Sequence, residues 1–86
     1  MPEISRFLGI VIKMFYKDHP PSHFHVEYGE YRGCFSIEDM HLISGNLPNR
    51  VVGLVTEWAL LHKNELREDW RLLTEEKPLK KITPLV

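Results

Sequence analysis

Within Asp18–Val26, D-H-P-P-S-H-F-H-V, three histidines follow one carboxylate at short range. Imidazole gives and takes a proton near neutral pH, and it is also a ligand for borderline divalent ions. Metal-free phosphodiester cleavage of RNA needs a base for the 2′-hydroxyl, an acid for the leaving oxygen and a cation for the developing charge. His19, His23, His25 and Arg32 supply all three kinds of group. A metal site is the second chemistry: His23 and His25 stand at i, i+2, and Glu27 or His19 could complete a set suited to zinc. That spacing is less specific than C-x-x-C or H-E-x-x-H. The third reading is structural. A solvent-facing strand carries polar residues, Glu27–Arg32 is an ordinary cross-strand ion pair, and a histidine beside prolines braces a loop.

The elements that position these residues follow from the apolar pattern. Leu8, Ile10, Ile12 and Met14 alternate with Gly9, Val11, Lys13 and Phe15, which predicts a first strand ending at Lys17–Asp18. Pro20 and Pro21 lack backbone donors and push their predecessors out of the helical region, so His19–Ser22 is an extended connector. Gly29-Glu30, between His23–Tyr28 and Tyr31–Ile37, predicts a two-residue type II′ hairpin. In that register Tyr28 opposes Tyr31, Glu27 Arg32, Val26 Gly33, His25 Cys34, Phe24 Phe35 and His23 Ser36. One face is then apolar, and the other carries His23, His25, Glu27, Arg32, Cys34 and Ser36.

Glu38–Ser44 suggests a further short strand through Met40, Leu42 and Ile43, with Gly45-Asn46 turning the chain. Pro48 suits a helix start, and Val51, Val55, Trp58, Leu61, Leu66, Trp70 and Leu73 recur at helical spacing. One amphipathic helix over about 47–76 is expected, with Lys63-Asn64 as the place for any kink. The predicted fold is α+β: an antiparallel sheet of three or four strands within about residues 6–44, packed on one face by a long C-terminal helix. A single domain spans 1–86, its tail from 77 onward extended, and the histidine face points away from the helix.

Composition narrows the partners. The 86 residues carry 11 basic and 12 acidic side chains, a net charge of −1, which argues against a strongly basic nucleic-acid binder but leaves room for a local basic patch. The single cysteine forms no internal disulfide and suits a reducing compartment, so a cytoplasmic location is expected. The apolar run Phe7–Tyr16 is interrupted by Lys13 and too short for a bilayer; neither anchor nor signal peptide is expected. Cys34 reads as a small core filler, His62 as a histidine packed between Trp58 and Leu66, and both tryptophans as core anchors. The start Met-Pro-Glu-Ile is that of enzymes using an amino-terminal proline as base, but those need a β-α-β order that this pattern lacks.

These residues together resemble a family of small bacterial proteins, domain of unknown function 4160. The resemblance rests on M-P-E-I-S-R-F, D-H-P-P-S-H-F-H-V, G-N-L-P-N-R and the pattern of Trp58, His62, Leu66 and Trp70, and it runs from Met1 to Trp70. The family often has a third proline where Ser22 stands. The resemblance implies a toxin component of a two-gene toxin–antitoxin module, with a protein partner encoded nearby. It makes Asp18, His19, Pro20, Pro21, His23 and His25 the site candidates; Glu27 and Arg32 join them from the hairpin geometry. The leading expectation is a toxin-like protein acting on RNA through the histidine cluster without a cofactor. The alternative is a non-catalytic interaction domain that uses the histidine-bearing face, with or without a divalent ion on His23 and His25.

Overall fold

In the computed structural model, which describes residues 3–86, the chain forms β1 (Glu3–Phe7), β2 (Ile10–Lys13), β3 (His23–Tyr28), β4 (Tyr31–Ser36), β5 (Leu42–Asn46), α1 (Asn49–Leu61) and α2 (Lys63–Thr74). Pro2 lies outside the described residues. The strands make one antiparallel sheet in chain order, β1-β2-β3-β4-β5. The fold is α+β as expected, with five strands in place of three or four.

The extra strand comes from the amino-terminal stretch. Leu8 and Gly9 both have positive φ, 51° and 79°, and turn the chain between the paired residues Phe7 and Ile10. Positive φ at both central residues is the type I′ pattern. Leucine is a poor residue for it, and the apolar alternation runs straight through the turn. The central hairpin follows the predicted register at all six pairs, from His23↔Ser36 to Tyr28↔Tyr31, with positive φ at Gly29 (57°). β5 takes in Gly45 and Asn46, expected to be a turn, because Gly45 sits close against β4. A Cβ there would lie 2.3 Å from the Arg32 carbonyl oxygen, and φ is +89°. Glycine lets the two backbones meet. Ile43 is skipped in the pairing, since Cys34↔Ser44 is followed by Phe35↔Leu42.

The expected long helix is two helices. His62 (φ −121°, ψ 27°) breaks the spiral, yet its N–H still donates to the Trp58 and Ala59 carbonyls, and its own carbonyl accepts from Leu66. The break therefore needs neither glycine nor proline. α1 buries Val51, Val55, Trp58 and Ala59, and α2 buries Leu66, Asp69, Leu72 and Leu73. Trp58 is fully buried, its ring centre 5.6 Å from Phe7 and 5.9 Å from Phe24. Each large apolar side chain sealed in this way contributes about 1.5–3 kcal/mol. Phe24, Val26 and Phe35 complete the sheet side of the core, so the alternating residues His23, His25 and Cys34 face the other way. Neither helix is long and apolar enough to cross a membrane.

Candidate functional site

The prolyl connector folds back over β3. Asp18 N–H donates to the Phe15 carbonyl (3.3 Å), Lys17 takes φ +72°, and the Pro20–Pro21 peptide bond is cis. The Tyr16 hydroxyl donates to the Lys77 carbonyl (2.6 Å), which ties this loop to the chain just after α2. Asp18 is thereby set between two imidazoles. Its Oδ2 lies 2.9 Å from His25 Nε2 and 3.2 Å from His23 Nε2.

Hydrogen-bond roles follow from the partners. A carbonyl only accepts, so His23 Nδ1, 2.8 Å from the Pro21 oxygen, carries a hydrogen and leaves a lone pair on Nε2 of the neutral ring. His25 donates from Nε2 to Asp18, which leaves Nδ1 as acceptor, 3.3 Å from Cys34 Sγ. A hydrogen-bonded chain Cys34–His25–Asp18 results. Packing fixes the rings: Phe15 stands edge-on to His25 at 4.5 Å, and the two imidazoles are 5.2 Å apart. Trp70 of α2 packs 5.3 Å from His23. The histidine face thus does not point wholly away from the helices, because α2 carries Trp70 around to its end.

A cleft of about 220 Å³ opens beside the cluster, lined by His19, Pro20, Pro21, His23, Cys34, Ile43 and Ser44. His19 and both prolines are exposed at its mouth. Asp18, His19, Pro20, Pro21, His23 and His25 are therefore brought together. Glu27 and Arg32 are not in this group. Glu27 accepts from Lys13 Nζ at 3.1 Å, and Arg32 donates to the Gly29 and Tyr31 carbonyls at the hairpin end, its Nε 3.8 Å from Glu27. Sharing a face did not bring Arg32 within reach, since successive same-face residues on a strand stand about 6.5–7 Å apart.

Two residues belong near the site that sequence reasoning left aside. Cys34 is half-buried and bonded to His25, not a core filler, and the predicted pairing His25↔Cys34 was the signal for it. Lys13 pairs with His25 from β2, hidden by its place in an apolar run. His62 is packed against Trp58 at 5.7 Å, as expected. The ring nitrogens of His23 and His25 and the Cys34 sulfur offer candidate ligand atoms within 4.8 Å of one another.

No curated protein and no solved structure matches the chain. Residues 9–71, which contain the prolyl connector, both strand histidines and Cys34, match the family described as Domain of unknown function (DUF4160), and the chain belongs to that family.

Proposed function

We propose that this chain is the toxin-like component of a bacterial, cytoplasmic toxin–antitoxin module and that its histidine cluster acts on RNA. The family resemblance supports the module. The site is supported by one observation: a single carboxylate, Asp18, accepts from His25 and lies 3.2 Å from His23 Nε2, at a cleft lined by a third imidazole, His19. His23 Nε2 takes the 2′-hydroxyl proton, and Asp18, 3.2 Å away, stabilises the imidazolium that forms. His19 makes no hydrogen bond among the described residues and returns a proton to the leaving oxygen. With Arg32 engaged elsewhere, the imidazolium itself carries the positive charge of the site. The test is inducible expression with and without the neighbouring gene, coupled to RNA cleavage by purified protein. His23→Ala or His19→Ala is expected to lower cleavage by about 10²–10⁴-fold and relieve growth inhibition in a folded protein. Full toxicity in both variants would remove the cluster from the mechanism.

The second reading, a non-catalytic interaction domain, is favoured by the far end of the same hairpin. Tyr31 is 42% exposed beside the exposed Arg32, and tyrosine with arginine is a common interface anchor. On this reading Arg32→Ala or His25→Ala weakens capture of the neighbouring gene product, and equal capture counts against that surface.

A further inference from the structure

We propose that Cys34, His25 and His23 form a site for one borderline divalent transition-metal ion of the zinc class, with Asp18 and the Pro21 carbonyl orienting the imidazoles. This goes beyond the reading above and does not depend on any RNA substrate.

The donor set comes first. One thiolate and two imidazoles are the ligands such an ion prefers, and their donor atoms already lie within 4.8 Å of one another. Tetrahedral ligands of zinc stand roughly 3.3–3.6 Å apart. His25 Nδ1 and Cys34 Sγ, at 3.3 Å, meet that spacing as they are. Only His23 needs to swing closer, about its side-chain torsions.

The surroundings of the donors carry the argument further. A metal-bound histidine characteristically donates its other N–H to a carboxylate or a backbone carbonyl, which sets the tautomer and aims the lone pair. Both arrangements are present. Asp18 accepts from His25 Nε2, and Pro21 accepts from His23 Nδ1, so the lone pairs left are His25 Nδ1 and His23 Nε2. His23 Nε2 also faces Asp18 Oδ2 at 3.2 Å, two acceptors in contact unless a cation or a proton joins them. A metal ion on Nε2 turns that contact into an attraction.

The frame fixes two of the ligands and keeps the third within reach. Cys34 and His25 are cross-strand partners, His23 is two residues along the same strand, and Phe15 and Trp70 pack the rings. Three protein ligands leave a fourth position, and the cleft lined by His23 and Cys34 opens to it. A closed structural site has four protein ligands; three with an open position is the pattern of an exchangeable or catalytic ion. Binding releases the Cys34 thiol proton to solvent as the sulfur–metal bond forms. Each imidazole has one free lone pair, so an ion here and proton uptake by His23 exclude each other. Zinc would therefore inhibit the metal-free cleavage proposed above.

The experiment is titration of the reduced, untagged full chain with Co²⁺, followed by displacement with Zn²⁺. The expected result is one ion per chain, the intense visible bands of tetrahedral cobalt, and a near-ultraviolet thiolate-to-cobalt band. Cys34→Ser should abolish the thiolate band, Asp18→Asn should weaken binding by roughly 10–100-fold while keeping it, and His41→Ala should change nothing. Circular dichroism confirms that each variant is folded. Absence of a one-to-one cobalt spectrum in the folded parent chain overturns the proposal, as does a cobalt affinity left unchanged by Cys34→Ser. An RNA assay without activity bears on the catalytic reading alone, since the cobalt spectrum is read without any substrate.

Discussion

Two aspartates show how the setting of one residue decides its part. Asp18 faces two imidazoles and is 27% exposed, whereas Asp69, on α2, is 1% exposed. Asp69 Oδ1 accepts the Lys80 N–H at 2.9 Å, but Oδ2 is buried without a partner. Burial pushes the Asp69 carboxyl above its ordinary value of 3.8, the Lys80 N–H offsetting part of the effect. The sign then follows from linkage. A folded-state carboxyl that titrates higher than the unfolded one binds its proton more tightly when folded, so stability is lost as pH rises through that window and does not return above it. Asp69→Asn keeps an acceptor for Lys80 and removes the buried charge. The variant is expected to melt several degrees higher than the parent at pH 7, with the gap closing below pH 3.8. Thermal melts across pH check this, and a variant that melts lower at pH 7 refutes it.

At the scale of elements, the glycines separate close approach from mere flexibility. Gly45→Ala would place a Cβ 2.3 Å from Arg32 O and 2.7 Å from Gly33 Cα, at φ +89°, so both strain and overlap oppose it. The expected loss is about 2–5 kcal/mol. Gly53 lies on the exposed side of α1, with nothing within 4 Å of an added Cβ, so Gly53→Ala should add about 1 kcal/mol through helix propensity. Urea unfolding measures both, and a harmless Gly45→Ala would contradict the β4–β5 pairing. The same distinction explains what is legible in the sequence. The β3–β4 register is legible because a two-residue glycine turn and strict alternation both specify it. The turn at Leu8–Gly9 is hidden, since alternation continues across it and leucine gives no turn signal. The break at His62 is legible only in part: Lys63-Asn64 beside it is the expected place for a kink, but the hydrogen bonds of the neighbouring turns span the break without a glycine or proline, so the pattern reads as one helix. The cluster of Asp18, His23 and His25 is legible because its members are close in sequence. The bond from Cys34 and the withdrawal of Arg32 depend on where side chains turn within a face, which periodicity does not record.

For the molecule as a whole, the extended tail ties β1 to α1. Ile82 donates its N–H to the Ile4 carbonyl of β1 at 2.8 Å and is 3% exposed, and the Thr83 carbonyl accepts the Trp58 indole N–H at 2.9 Å. An 86-residue chain has a small core, so its net stability lies toward the lower part of the usual 5–15 kcal/mol. Deleting residues 79–86 removes the burial of Ile82, about 1.5–3 kcal/mol. It also strands the buried Trp58 N–H, a further cost of about 1–3 kcal/mol. Together these approach half or more of what holds the domain folded. Because the site loop is tied to Lys77, just before the deletion, the effect should be global and not a local loosening of the histidines. The truncated chain is expected to show a much lower urea midpoint, with tryptophan fluorescence and circular dichroism changing together. A midpoint equal to that of the full chain would mean that the tail contacts contribute nothing, and the sheet and helices would then have to account for the stability alone.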